Sequence, residues 1–260
     1  MLKVNYKNEF KMLPMSPSAT GHQLHHACAA LYGFKPSRIL ISVSKNTYLN
    51  QKQEIEKQIE TSEITLKYIG PQISYRLVFM LEYMGPLLIS TFLFSSTPQV
   101  YFWIFHFSKR ILETMFVHEF SNATMPIRNV FKNCAYYYGF SFFVLVQNQV
   151  NFNVFWGVCF IISEFLNGFC HIHLRLIRSG KKGYQNPSSL LFKYVACPNY
   201  TFELLSWVCF GLSCSNARAL IFAIFGYGQI RVWGYKKQER LNELFPESRR
   251  KFAVFPVFGL

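Results

Sequence analysis

The stretch LVFMLEYMGPLLISTFLF, residues 77–94, holds a single acid, Glu82. Crossing the hydrocarbon core of a bilayer takes roughly 20 such residues. Five more apolar elements follow. They are STPQVYFWIFHF continuing through Phe120, VFKNCAYYYGFSFFVLV (130–146), FNVFWGVCFIISEFLNGFCHIHLRLI (152–177), SSLLFKYVACPNYTFELLSWVCFGL (188–212) and ARALIFAIFGYGQIRVWGY (217–235). Pro198 breaks the fifth, which leaves room for a re-entrant piece followed by a helix. Composition agrees: 51% of the chain is hydrophobic, 18% aromatic and 15% charged, where soluble domains carry about 25% charged residues. The expectation is a mainly α fold, a polytopic membrane helix bundle of about six or seven transmembrane helices.

Charge narrows the partners. The chain has 27 Lys and Arg against 13 acids, a net charge of +14. The bases flank apolar runs and cluster at 175–182 and 231–251. That distribution fits the positive-inside rule and anionic ligands such as phosphates, and not nucleic acid. All 13 acids are Glu. This excludes a Ser-His-Asp triad, an Asp base and Asp-rich metal motifs. The seven cysteines form no CxxC and most lie in apolar runs, so they read as small buried hydrophobes. No GxGxxG is present, so a Rossmann dinucleotide site is not expected.

Residues 1–68 have a different character. RILISVSKN and SEITLKYIG alternate as strands do, and TGHQLHHACAALYGF has helical spacing at Leu24, Cys28 and Leu31. A small α+β module is expected, followed by the membrane part at 69–260. The first 60 residues are polar and mixed, without a signal-peptide pattern, so this module is expected in the cytosol. His22, His25 and His26 lack flanking Cys or acidic partners and read as a solvated helix face, not a metal site.

The ionisable residues inside the apolar segments are Glu82, His106, Lys109, Arg110, Glu113, Glu164, His171, His173, Arg175 and Glu203. Such groups are expensive at membrane depth and point to function; the competing reading is helix-locking pairs or snorkelling side chains. Lys109 and Glu113, at i and i+4, can pair inside the bundle. Arg110 is expected to turn to the other side or to the surface. Asn167, His171, Arg175 and Arg178 share one helical face that runs into the basic loop RSGKKG. This suits a polar ligand bearing phosphates, or else a helix end among anionic headgroups. In CPNYTFE (197–203), Pro198 fits a first helical turn. Asn199 and Glu203 lie on one face, with Tyr200 beside them. A Tyr hydroxyl in such a place can donate a proton when a cation stabilises its anion, and Lys109 is the candidate cation.

Four blocks, GPQISYRLVFMLEYMGPL (70–87), HFSKRILETMFVHEFSNATMPIRNVFKNCAYYYGF (106–140), NGFCHIHLRLIRSG (167–180) and CPNYTFELLSW (197–207), resemble the trans-2-enoyl-CoA reductases of very-long-chain fatty acid elongation, within the steroid 5-alpha-reductase superfamily. The second block is the most specific. The resemblance implies a multi-pass enzyme of the endoplasmic reticulum membrane with cytosolic termini, embedded in lipid and accompanied by other elongation-cycle enzymes. Residues 1–68 would be a ubiquitin-like domain. The implied reaction reduces a long-chain trans-2-enoyl-CoA with NADPH, hydride going to the β-carbon and a proton to the α-carbon. Carried over by motif, Tyr200 would be the proton donor, Lys109 the cation stabilising its anion, and Glu82 a group orienting the acyl head or a partner. Asn167, His171, Arg175, Arg178, Asn199 and Glu203 would line the NADPH site. Gln238 and Leu241 stand where the family tail has a His and a Tyr, and Lys237 and Tyr235 are the residues placed to compensate. Two other readings are an inactive scaffold of the elongation complex and a 5-alpha-reductase of a sterol or polyprenol.

Overall fold

In the computed structural model, which describes residues 1–44, 47–120, 123–147, 151–180, 184–187, 190–250 and 252–254, the chain opens with a hairpin. Lys7 and Asn8 both take positive φ, 51° and 68°, the two-residue turn whose twist matches paired strands. It joins β1 (Leu2–Tyr6) to β2 (Glu9–Leu13). Helix α1 (Gly21–Leu31) follows, started by a capping box in which Thr20 and Gln23 bond each other's backbone amides. Then come β3 (Ile39–Ser44), β4 (Thr47–Tyr48) and β5 (Glu63–Tyr68). The sheet order is β2-β1-β5-β3-β4, with β1 and β5 parallel and the other pairs antiparallel. Ile39, Ile41 and Val43 of β3 and Ile64 and Leu66 of β5 point inward, as strand alternation requires, and meet Leu24 and Cys28 of α1.

His25 departs from the expected solvated face. It is buried, and its Nε2 donates to the Ile39 carbonyl at 3.2 Å. It sits beside the inward face set by Leu24 and Cys28, and the shared burial takes it in. His22 and His26 remain exposed, their rings 4.4 Å apart. This first unit extends to Tyr75 and includes the segment bearing β7 (Thr124–Pro126), because β6 (Gln72–Ser74) pairs with β7.

Among the described residues the second unit holds six α-helices: α2 (Tyr75–Leu93), α3 (Pro98–Phe116), α4 (Arg128–Leu145), α5 (Val154–Arg178), α6 (Pro198–Ser213) and α7 (Ala217–Leu244). They match the six apolar elements read from the sequence. α7 runs nine residues further than 235, so the first part of the basic tail is helical. Three helices begin on side-chain caps: Thr97 accepts from the Val100 amide, Asn153 from Trp156 and Asn216 from Ala219. Lys181, Lys182 and Gly183 of the basic loop and residues 255–260 of the tail lie outside the described residues.

Aromatic rings fill the core of this unit. Trp103 and Phe107 of α3 meet Phe160 of α5, Trp207 and Phe210 of α6 and Phe222 of α7, with the Trp103 and Trp207 rings 5.1 Å apart. α2 and α4 approach at Gly85: a Cβ there would collide with the Tyr138 ring, whose hydroxyl donates to the Leu81 carbonyl at 2.7 Å. All seven cysteines are free thiols, five of them buried.

Large apolar side chains stand on the outside of this unit, while polar groups are buried beside its aromatic core. Phe92, Phe131 and Ile224 are 75%, 72% and 69% exposed, while Glu82, Glu164 and Asn167 are 2%, 1% and 1% exposed. α2 and α5, with mean hydropathy of 1.3 and 1.4, are long and apolar enough to cross a membrane.

His25 makes the N-terminal unit acid-sensitive. Burial, opposed by the Ile39 carbonyl and aided by the neighbouring His26 and His22, holds its imidazole below the ordinary value of 6.5. The unfolded chain therefore binds the proton more readily. Stability is full above about pH 6.5 and falls as the pH drops from there towards the folded value. Protection factors of the amides within residues 21–31 and 39–44, the exchange rates divided by the intrinsic rates at each pH, should be smaller at pH 5 than at pH 7.5. His25→Gln should flatten that dependence.

Candidate active site

One carboxylate organises the buried polar residues of the second unit. Glu164 on α5 takes the His106 Nδ1 at 2.8 Å and the Lys109 ammonium at 2.9 Å, both from α3. Lys109 also donates to Asn167 Oδ1 at 2.6 Å and lies 3.4 Å from Glu113. The expected Lys109–Glu113 pair is thus present as one arm of a larger network. Gly168 makes room for it, since a Cβ there would lie 3.3 Å from Lys109 Cε and 3.4 Å from Glu113 Oε1.

Arg110 corrects the sequence reading. It is buried, not turned to the surface. Its guanidinium bonds Glu113 at 2.6 Å and the Tyr83 hydroxyl at 3.1 Å, and lies 3.2 Å from His171 Nδ1. The side of α3 next to Lys109 faces α2 and α5, so it offers an arginine polar partners inside the unit. His118 completes this corner, 3.4 Å from His171.

Asn167 connects the network to α6. Its amide nitrogen donates to the Asn199 carbonyl at 2.9 Å and to Glu203 at 3.2 Å. Glu203 also lies 3.7 Å from His106 Nε2, and the Asn199 amide is 3.4 Å from His171 Nε2. Asn167, His171, Asn199 and Glu203 are therefore brought together. The lower half of the α5 face is used differently. Arg175 donates to the Phe116 carbonyl at the end of α3, and Arg178 to the Glu119 carbonyl at 2.9 Å. Cations at a helix C-terminus satisfy open carbonyls and oppose the helix dipole.

Tyr200 and Lys109 are not in contact among the described residues. The cation beside Tyr200 is Lys237 of α7, its ammonium 5.4 Å from the ring centre. Glu82 is apart from the Glu164 network as well; it accepts from Asn133 of α4 at 2.6 Å. Tyr83, one residue on, is the α2 contribution to the Arg110 corner. Sequence reasoning missed Tyr83 and Asn133, because nothing in a run of aromatics marks which hydroxyl or amide will meet a charge.

A cleft opens at the end of α5. Leu174 and Arg178 of α5, Tyr184, Asn199 of α6, and Lys237 and Leu241 of α7 line it. Burial pushes the Tyr184 phenol up, so the ring it presents is neutral. Leu241 is buried, and Gln238 faces away to the Arg250 carbonyl at 2.9 Å. Among the described residues neither Arg178 nor Lys237 has a carboxylate partner. Asn199 Oδ1 is buried without a hydrogen-bond partner.

The comparisons with known proteins agree with one another. Residues 123–258 match the family described as 3-oxo-5-alpha-steroid 4-dehydrogenase. The chain is 38% identical to the very-long-chain enoyl-CoA reductase of Dictyostelium discoideum, over 75% of this chain and 74% of the relative. It belongs to the very-long-chain enoyl-CoA reductases of the steroid dehydrogenase family. The chain is also 37% identical to the probable very-long-chain enoyl-CoA reductase art-1 of Caenorhabditis elegans, over 72% of this chain and 73% of that one. The trans-2,3-enoyl-CoA reductase-like protein of Mus musculus is 30% identical over 90% of this chain and 75% of its own.

Glu164 is the residue on which this packing tests most directly. Glu164→Leu strips His106 and Lys109 of their shared carboxylate, and removing one member of a buried ion pair costs about 3–5 kcal/mol. Glu164→Gln, which keeps the shape and one acceptor, should lose less. Melting of the purified variants in detergent ranks the two.

Proposed function

We propose that this enzyme reduces the double bond of a trans-2-enoyl-CoA with NADPH, as the last step of a fatty acid elongation round. The observation that carries the reading is the cleft at Asn199. Its lining includes Asn199, whose buried Oδ1 has no hydrogen-bond partner, and two cations without carboxylate partners, and one of these, Lys237, lies over the ring of Tyr200, the residue after Asn199. These groups fit a dinucleotide: Asn199 offers an acceptor to an amide, and Arg178 and Lys237 offer charge to phosphates. The names of the relatives supply the enoyl-CoA substrate.

When bound, NADPH supplies the hydride that goes to the β-carbon of the enoyl thioester. The α-carbon then needs a proton, and Tyr200 gives it from its hydroxyl. Lys237 stabilises the phenolate left behind, the role that the sequence suggested for Lys109. Lys109 acts one step back: it fixes Asn167, which holds the Asn199 carbonyl and so the first turn of α6. Glu82, oriented by Asn133, meets the acyl head. Asn167, His171 and Glu203 form the polar floor beneath the cofactor, and Arg175 stays at the end of α3.

The same reading assigns the whole of the second unit to the membrane, with six spans, in the endoplasmic reticulum. Bases near the end of α5 and along the second half of α7 support cytosolic termini. The N-terminal unit is proposed to be a ubiquitin-like cytosolic domain. Its mixed five-stranded sheet with a central parallel pair and one capped helix supports this. Other elongation-cycle enzymes are its proposed neighbours.

The test is NADPH oxidation by the purified protein with a C16 or longer 2-enoyl-CoA. Wild type should consume one NADPH per double bond, and a sterol or polyprenol substrate should give none. Tyr200→Phe should lower kcat by about 10²–10⁴-fold, the usual weight of a positioned general acid, with NADPH affinity unchanged. Full turnover by Tyr200→Phe removes the tyrosine from the role. Failure of wild type to bind NADPH removes the enzyme reading in favour of a scaffold.

A further inference from the structure

Beyond the cleft, one buried arginine has no carboxylate near it. Arg250 is 2% exposed and joins none of the ion pairs among the described residues. A charge withdrawn from water in this way is costly unless dipoles replace the solvent. Here they do. Nε donates to the Phe192 carbonyl at 2.8 Å. One terminal nitrogen donates to Asn186 Oδ1 at 2.5 Å and to the Pro187 carbonyl at 2.9 Å, and the other to the Ser248 carbonyl at 3.3 Å.

The backbone of the same residue is held from α7. The Arg250 amide donates to Asn242 Oδ1 at 2.9 Å, and its carbonyl accepts from Gln238 at 2.9 Å. Two residues on, the chain lies against the start of α6. The Ala196 amide donates to the Phe252 carbonyl at 3.0 Å and the Cys197 amide to Ala253 at 2.9 Å. Cys197 is the residue before Pro198 and α6, three before Tyr200. Arg250 therefore ties together the loop carrying Pro187, the second half of α7 and the entry to α6. These are three walls of the cleft.

We infer that Arg250 is a positioning residue for the cofactor, its guanidinium fork fixing the Pro187 loop and the C-terminal segment as the wall of the nucleotide cleft. This rests on the proposed NADPH site. The fork matters, not the charge alone, because a lysine ammonium cannot reach acceptors spread over three directions in the plane of a guanidinium. The wall touches bound cofactor equally before and during reaction. Loosening it weakens binding without slowing the chemical step.

The experiment uses the purified full-length protein and measures NADPH affinity by fluorescence titration, and KM and kcat for NADPH at saturating enoyl-CoA. Arg250→Ala should raise both the Kd and the KM for NADPH by about tenfold, the scale of losing charged hydrogen bonds, with kcat unchanged at saturation. Arg250→Lys should be as impaired as Arg250→Ala. Asn186→Ala, which removes one acceptor of the fork and the amide's own bond to the Ser248 hydroxyl, should shift KM the same way by a smaller factor and serves where Arg250→Ala does not fold. The inference is overturned if Arg250→Ala and Asn186→Ala bind NADPH as wild type does, if kcat falls while KM stays put, or if Arg250→Lys restores wild-type KM. If wild type itself binds no NADPH, the proposed function fails first and this inference with it.

Discussion

The arrangement depends on one carboxylate with two claimants. Glu164 faces both His106 and Lys109 in a place almost closed to solvent. An unpaired charge there is costly, so α3 and α5 are driven to the register that brings these groups together. Apolar contacts alone do not select that register where the surroundings are themselves hydrocarbon, since a leucine gains little by leaving lipid for protein. From Lys109 the order passes to Asn167, from Asn167 to the Asn199 carbonyl and Glu203, and so to the first turn of α6. Tyr200 owes its position to a chain of polar bonds that begins two helices away.

α5 does two jobs along a single face. Asn167 and His171 look inward to the network. One and two turns further, Arg175 reaches the last carbonyl of α3 and Arg178 a carbonyl three residues beyond it. The face changes from buried to open at the point where the cleft begins. The polar residues spaced along α5 thus pass from a buried side-chain network to arginines that bond backbone carbonyls at and beyond the end of α3.

Much of this was legible in the sequence. The six helices of the second unit were visible as apolar runs, and the structure adds the caps Thr97, Asn153 and Asn216 at three of their starts. Helical spacing put Asn167 with His171 on one face and Asn199 with Glu203 on another, and only the family resemblance joined the two faces that the structure brings together. Other features lacked a local signal. The first hairpin turns on Lys7–Asn8 without a glycine, so no turn motif announces it. Arg110 looked free to leave the bundle, since spacing on α3 says nothing of Tyr83 on α2 or His171 on α5. Lys237 came to Tyr200 only because α7 continues past the apolar run, and Arg250 acts wholly through residues distant in the chain.

The dry network and the open cleft answer differently to dissolved salt. Mobile ions screen charges that water can reach and scarcely affect those it cannot. Glu164 keeps its grip on His106 and Lys109 at any ionic strength. The pull of Arg178 and Lys237 on a passing anion weakens as counterions gather around them. The fold of the helical unit and the anion capture proposed for the cleft are therefore governed by separate electrostatic regimes, one insulated and one exposed.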